Sequence, residues 1–482
     1  METPSTIWAV LVGTYALVTS IFLISENRRP QSTLAWMLAF LLAPGLGLII
    51  YFFFGRDQKA FSREGKLLGQ SLEASSVPLL EPILARQDTE IAGLEGGSVS
   101  RRKLMMLVRR NSDSAVVRTT EAEVLQDAAQ FYPRLIADMK AARHSIHHQY
   151  FIWGADAFTE ELKSVMIAKA REGVEVRLLY DAVGSLRYLS YAYLRDLRRG
   201  GVHVAPTSPI YRLHTIGYRN HRKISVIDGA IGYTGGMNIG QEHLDGGADF
   251  PFWRDSQLRL AGDAAAMLQA VFMVDWFNAV QEDLFAPAYF PAVETPVANG
   301  VPVQILTSGP DSRWAAIRQL YAFMIGTAQR RVFVQSPFFI PDGTIAEALK
   351  LAALSGVDVR LMVSSRASGT PLPEWAGNTY FADIVAAGVR VYLYEKGYLH
   401  AKSISVDSEV CSIGSANIDT RSFTINYELN AVIYDNALAS GLEAQFEADM
   451  EECRAFDPDH YQALGRVVRF RDSMARLMSP LL

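Results

Sequence analysis

The sequence predicts an α/β protein of two tandem halves, each a mixed sheet flanked by helices, sharing one active site behind an N-terminal two-segment membrane hairpin. Three observations carry this. His-x-Lys followed by Asp occurs twice, at His221 and His400, with identical internal spacing. Strand-like and helix-like segments recur in the same order around both copies. Apolar residues are concentrated near the N-terminus, in two uncharged runs.

At 482 residues the chain exceeds one ordinary hydrophobic core, so two domains or a duplicated one are expected. It is 49% hydrophobic and 20% charged, with a mean hydropathy of +0.08. A net charge of −5 excludes a polycation built for nucleic acid. Cys411 and Cys453 are the only cysteines. They have neither metal-like spacing with histidines nor the numbers for a disulfide framework, and read as reduced thiols.

Residues 1–56 form the expected hairpin, with apolar segments at about 7–24 and 33–54 around a polar turn that holds Arg28 and Arg29. Each uncharged run approaches the length of a bilayer crossing. The first lacks a basic leader and a small-residue cleavage site, so it reads as a retained anchor. Trp8, Trp36 and Tyr51 lie near the ends, as interfacial aromatics do. Arg28 and Arg29 mark the turn as cytoplasmic, but Arg56, Lys59, Arg63 and Lys66 mark the following segment too. Pro44-Gly45 could kink the second segment or make it re-entrant. Two spans and a re-entrant loop both remain open.

Residues 57–118 show no sustained period and read as a juxtamembrane linker with short helices. Its basic stretch Arg101-Arg102-Lys103 is either a lipid-headgroup contact or a solvated face. The first half is then 119–295 and the second 296–482. Residues 146–152 correspond to 332–338, 174–180 to 357–363, and 201–204 to 388–391. Strand, helix, strand, helix, strand in the same order twice implies two α/β halves. The Pro/Ala/Val-rich stretch from Pro291 to Pro302 divides them.

The chemistry lies in His221-Arg-Lys223 with Asp228 and Asn238, and in His400-Ala-Lys402 with Asp407 and Asn417. His to Lys is two residues, His to Asp seven and His to Asn seventeen in both copies. On a strand, residues two apart share a face, so His and Lys can reach one ligand. A duplicated scaffold has reason to keep glycines and apolar positions, but none to keep His, Lys and Asn together twice. Phosphodiester transfer needs an in-line nucleophile, a proton for the leaving alkoxide and fixed positive charge on the non-bridging oxygens. Two histidines cover the first two tasks. Lys223, Lys402, Asn238 and Asn417 can hold the phosphate oxygens. Gly235-Gly236 and Gly414-Ser415 are small enough to let a phosphate approach the backbone. Each histidine needs a partner for its other ring nitrogen, and Asp255 and Glu428 lie at similar distances downstream of the two. Asp228 and Asp407 complete the catalytic motif as sequence elements. Closing each strand, they read as anchors of loop backbone.

These residues make the chain resemble the phospholipase D superfamily, and its bacterial cardiolipin synthases in particular. The likeness extends through Leu399-His400-Ala-Lys402, the run from Ile413 to Phe423, Asn426-Tyr-Glu428 and Ser308-Gly-Pro-Asp311. It also includes Arg28-Arg-Pro30 leading into Leu34-Ala-Trp36, and the ending Ser479-Pro-Leu-Leu482. Gly236 stands where the family motif takes Gly or Ser, and Tyr427 where Phe is more usual. The resemblance implies a transfer without metal or other cofactor, through a phosphatidyl-histidine, that turns two phosphatidylglycerols into cardiolipin and glycerol. His221 is expected as nucleophile and His400 as acid/base. It also implies membrane phospholipids rather than nucleic acid as partners, and a bacterial cell membrane location with the catalytic part facing the cytoplasm. A homo-oligomer is compatible with the sequence, which does not decide it. Hydrolysis of phospholipids is the alternative reaction, with a nucleic-acid phosphodiesterase behind it.

Arg212, His214, Arg219 and Arg222 add charge near the first motif and read equally as headgroup ligands or solvated residues. His147 and His148 read as core histidines, and Tyr150, Tyr180 and Asp181 as residues near the site. The stretch from Arg466 to Leu482 alternates arginines with apolar residues. As a helix it would suit an anionic membrane surface or pack on its own domain.

Overall fold

The computed structural model describes residues 4–26, 30–51, 76, 78–85, 87, 91, 99–210, 217–291 and 300–479. Arg28, Arg29, the basic cluster from Arg56 to Lys66, Arg212, His214, most of the Pro291–Pro302 divider and Pro480 to Leu482 lie outside them, as does the side chain of Trp8. The chain forms two compact units, Met1–Arg63 with Ile210–Gly217, and Glu64–Pro209 with Tyr218–Leu482.

In the first unit, helix Pro4–Ser25 is followed by helix Pro30–Leu42. Proline suits a first helical turn, where its missing N–H has no partner to lose. The second apolar segment is not one helix. It breaks at Pro44-Gly45, where Gly45 takes a φ of +86°, and resumes as the short helix Leu46–Ile50. Proline removes a ladder hydrogen bond, and glycine adopts the left-handed turn without a Cβ penalty. Leu23, Phe40 and Tyr51 are buried against Tyr15, Trp36 and Met37. Tyr51 donates to Glu26 Oε2 at 2.5 Å. Leu17, Ile21, Leu34, Leu38 and Leu42 are exposed. Among the described residues no helix is long and apolar enough to cross a membrane.

The second unit is organised by one continuous 15-stranded sheet, not two separate ones. Its centre is the antiparallel pair Val116–Gln126 and Val301–Ser308. Outward on the first-half side follow Ser256–Gly262, Ile231–Gly235, Ile224–Ile227, Ser145–Tyr150, Glu175–Tyr180 and His203–Pro206. Outward on the other side follow Glu428–Ile433, Val410–Gly414, Ser403–Val406, Arg331–Gln335, Asp358–Ser364 and Arg390–Tyr394, with Cys453–Ala455 added at the edge. The order reads the same in both directions, so the halves are related by a pseudo-twofold relation through the central pair. The three correspondences drawn from the sequence fall on equivalent strands. The helices before the second strand of each outer trio end near Gly173 and Gly356, whose φ values are +91° and +94°.

Strands Ile224–Ile227 and Ser403–Val406 are buried throughout, as strands covered on both faces are. Helix Asp263–Val280 packs beneath the first-half sheet, and Asn436–Met450 beneath the second. Their Leu268 and Leu442 join Val226, Leu258, Ile413 and Leu429 in one core spanning both halves. His147 and His148 point to opposite faces of their strand and are fully buried. His147 Nδ1 contacts Gln269 and its ring stacks on Phe272, while His148 Nδ1 meets Ser225 Oγ at 2.8 Å. Burial holds both neutral, near 3.

The expected linker ends earlier than residue 118. Val99–Ser112 is a helix whose Leu104, Met105 and Val108 are buried with Leu306, Leu320 and Tyr321 of the second half. Arg101 Nη2 donates to Glu409 O at 2.7 Å, tying this helix to the second half, while Arg102 and Lys103 are exposed. Charges on the outer face of this helix obscured its short apolar stripe in the sequence. The following strand pairs with both halves.

Candidate active site

Each histidine is held by the backbone of the opposite half. Tyr427 N donates to Arg219 O and His221 N to Tyr427 O, both at 2.9 Å. Strand Tyr398–Leu399 pairs in parallel with Trp253–Arg254, and His400 N donates to Arg254 O at 2.7 Å. These bridges bring up the next residue in each half, Glu428 after Tyr427 and Asp255 after Arg254. His221 Nδ1 lies 3.0 Å from Glu428 Oε2, and His400 Nδ1 lies 2.6 Å from Asp255 Oδ2. The pairing is therefore crossed: each carboxylate meets the histidine of the other half, not the one upstream of it. A carboxylate on Nδ1 leaves Nε2 free to act and fixes which nitrogen carries the proton.

The His-x-Lys segments are not themselves strand. The strands begin at Ile224 and Ser403, and the lysines curl back along the approach. Lys223 Nζ donates to His221 O at 2.7 Å, and Lys402 Nζ donates to His400 O. Both side chains are buried. Burial pushes Lys223 down to about 7 and Lys402 to about 8. Burial also lowers His221, against the attraction of Glu428. It lowers His400 well below its ordinary value, reinforced by Lys402, Lys223 and His221. Burial raises Glu428, but His221, Lys223 and the Ser415 hydroxyl outweigh it and hold the carboxylate below its usual range. Burial pushes Asp255 up to about 6 despite Lys402. Two costly ammoniums and two neutral imidazoles in one enclosure favour an incoming anion.

Of the two readings of Asp228 and Asp407, part of the catalytic motif or loop anchor, the geometry fits the second, and two other expectations change. Asp228 and Asp407 sit at the far ends of their strands and meet neither His221 nor His400. The Asp228 carboxylate accepts from the backbone N–H of Arg143, His144 and Ser145 at 2.9, 2.7 and 2.9 Å. Asp407 accepts from Gln329, Arg330 and Arg331 at 2.7, 2.7 and 2.9 Å. They are loop anchors, because a strand carries its two ends apart. The small residues make room for carboxylates: a Cβ on Gly236 would stand 2.1 Å from Asp255 Oδ1, and Ser415 Oγ donates to Glu428 Oε2. The two asparagines are engaged in loop contacts, Asn238 with the loop after strand Ser145–Tyr150 and Asn417 within its own. Asn238 Oδ1 accepts from Ile152 N at 3.1 Å, and Asn417 Nδ2 donates to Asp419 at 3.1 Å. Asn417 Oδ1 is buried without a hydrogen-bond partner among the described residues.

Nearby charges are likewise committed. Arg222 Nη1 grips both oxygens of Asp275 at 2.8 Å, so it is neither headgroup ligand nor solvated. Arg219 pairs with Asp181 at 3.3 Å. Asp181 also accepts from Asn220 N at 3.1 Å, bracing the approach to His221. Tyr150 is turned into the core, its hydroxyl 2.7 Å from Ser225 Oγ. Tyr180 is half-buried.

Sequence reasoning missed the aromatic walls. Phe151 lies 4.9 Å from His221, ring to ring, and Trp253 and Tyr398 lie 5.5 and 5.7 Å from His400. His243 lies 6.0 Å from His400, with both ring nitrogens buried and without a hydrogen-bond partner among the described residues. Its available signal was position, five residues beyond Asn238, where the second half has Ser422.

Residues 135–276 and 321–450 match the family described as cardiolipin synthase, PLD-like domain. Residues 14–56 match the family described as phospholipase D-nuclease N-terminal. A cardiolipin synthase of Geobacillus kaustophilus is 38% identical over 99% of this chain and 94% of its own length. The major cardiolipin synthase of Bacillus subtilis is 36% identical over 97% of each chain. The solved phosphatidylserine synthase of Haemophilus influenzae has a TM-score of 0.62 at 14% identity, covering 79% of this chain and 100% of its own, a likeness of fold. With its doubled PLD-like region matched and relatives aligned almost end to end, the chain belongs to the bacterial cardiolipin synthases, phosphatidyltransferases of the phospholipase D superfamily.

Proposed function

We propose that the protein joins two phosphatidylglycerol molecules into cardiolipin and glycerol. The observation that carries this is the crossed pair of histidine–carboxylate contacts around two buried lysines. With the phosphodiester anion bound beside it, His400 takes up a second proton, on Nε2. His221 Nε2 then attacks phosphorus in the first lipid, the phosphorus–oxygen bond to the headgroup glycerol breaks, and His400 Nε2 gives that oxygen its proton. A phosphatidyl group remains on His221. The headgroup hydroxyl of a second phosphatidylglycerol then passes its proton to His400, attacks phosphorus and releases His221. The sequence is reversible, since every proton and bond is returned. Lys223 and Lys402 carry the charge on the non-bridging oxygens, and Glu428 and Asp255 position the rings. Assigning attack to His221 follows from its partner: Glu428, held ionised, keeps the proton on Nδ1 and the lone pair on Nε2. Asp255, pushed up to about 6, shares a proton more readily with His400, which suits an acid/base.

In the same reading, the leucine-rich exterior of the N-terminal hairpin lies in lipid and tethers the enzyme to the bacterial cell membrane, with the catalytic part facing the cytoplasm. The test is incubation of purified protein with phosphatidylglycerol, with products resolved by mass. Cardiolipin with equimolar glycerol is expected, and chelators leave the yield unchanged. Phosphatidic acid as sole product would make the enzyme a hydrolase and end the proposal. His221→Ala and His400→Ala each remove turnover, and a phosphatidyl adduct on His221 accumulates in His400→Asn.

A further inference from the structure

The C-terminal stretch forms helix Arg466–Leu477, and its packing is inverted. The residues it buries against helix Leu372–Val385 include an acid: Asp472 is fully buried, accepts from Arg471 at 2.9 and 2.7 Å, and takes Asn378 Nδ2 at 3.2 Å. Ala475 is the other buried side chain. Arg471 and Arg476 lie over the rings of Trp375 and Tyr380 at 4.3 and 4.2 Å, pinning the helix to the body. The opposite face is apolar and open: Val467, Phe470, Met474 and Leu477 are 82, 67, 48 and 73% exposed. Their spacing of three, four and three residues sets them in one row. A helix that buries its only carboxylate and shows water its hydrophobic row is built for a surface on its outer side.

Charge says which surface. The helix has four arginines and no exposed acid in a chain of net charge −5. We infer that this face docks the catalytic unit onto an anionic lipid surface, with the row in the acyl boundary and Arg466 and Arg469 at the headgroups. Self-association through the same face would set one copy's arginines against the other's. Each arginine near an anionic surface is worth about fivefold in partitioning, so Arg466 and Arg469 together contribute about 25-fold.

The test uses the full chain in nanodiscs, with Cys453→Ser and an environment-sensitive fluorophore on Phe470→Cys. A second protein carries the label on Ser164→Cys as a surface control. The expected result is a blue-shifted Phe470→Cys label quenched by lipid-borne quencher in phosphatidylglycerol nanodiscs. It is water-exposed in phosphatidylcholine nanodiscs, and the control is water-exposed in both. Arg466→Gln/Arg469→Gln should lower the docked fraction towards the phosphatidylcholine level. A label exposed in both lipids overturns the inference, and equal immersion in both overturns the role of charge. A shift that tracks protein concentration without lipid assigns the face to a second copy and also overturns it. Because the readout is fluorescence, it stands whether or not the protein makes cardiolipin.

Discussion

Replacing Lys223 by methionine keeps much of the side-chain volume and removes the ammonium. Burial pushes this group from an ordinary 10.5 down to about 7, so at about 1.4 kcal/mol per pH unit, charging it in the empty site costs about 5 kcal/mol. Its folded value lies below its unfolded one. Below pH 7 the full penalty is therefore present, and between pH 7 and 10.5 the unfolded chain keeps a proton the folded chain has released. Wild-type stability should rise with pH through that window. Lys223→Met removes the penalty and one hydrogen bond, to His221 O, worth about 1 kcal/mol. Near pH 6 the variant should be more stable by about 4 kcal/mol. For a body of about 400 residues this is a Tm rise of about 5 °C, and it should vanish near pH 10. Thermal unfolding of the full chain in detergent, followed by tryptophan fluorescence from pH 6 to 10, measures this directly. Turnover should fall about 100- to 1000-fold with the loss of a charge aimed at the transition state. A variant less stable than wild type at pH 6, or one with the wild-type pH slope, would refute a buried ammonium held for an anion.

Asp255→Asn tests the other side of the balance. The carboxyl is raised to about 6, so its penalty is complete above pH 6 and disappears as pH falls towards 4. The variant should gain up to about 3 kcal/mol at pH 8 and nothing near pH 4, read by denaturant unfolding, while losing activity. Gly236→Ala should cost about 1–3 kcal/mol by overpacking and also cut kcat per folded molecule, because the added methyl meets Asp255 Oδ1 at 2.1 Å and turns it from His400; a wild-type kcat per folded molecule would show that the glycine serves packing alone. Asp407→Ala should cost about 2–4 kcal/mol by orphaning three backbone N–H groups, yet spare kcat per folded molecule, as titrated by phosphatidyl adduct. A lost kcat at full folding would return Asp407 to the chemistry.

Much of the fold and of the site is legible in the amino-acid order. The doubled motif, the repeated order of elements and the pairs of equivalent strands follow from short-range spacing, which periodicity preserves. The identities of Asp255 and Glu428 as partners of histidine come from chemistry, since an imidazole at work needs a fixed second nitrogen. The assignment of Asp228 and Asp407 to loop backbone comes from their place at the strand ends. Less legible are the helix Val99–Ser112, whose three buried apolar residues are outnumbered by charges, and the open face of Arg466–Leu477, where the pattern allows either orientation.

Only the tertiary structure decided which carboxylate serves which histidine. Glu428 is 207 residues from His221, and Asp255 is 145 from His400; no local period links them. The link is a pair of backbone bridges between halves, made possible because one sheet runs unbroken through Val116–Gln126 and Val301–Ser308. The sequence by itself singled out the groups suited to the proposed chemistry, since each must have its own acid–base and charge character. How they pair depended on hydrogen bonds between distant backbones, whose donors and acceptors are alike at almost every residue and so leave no mark in the sequence.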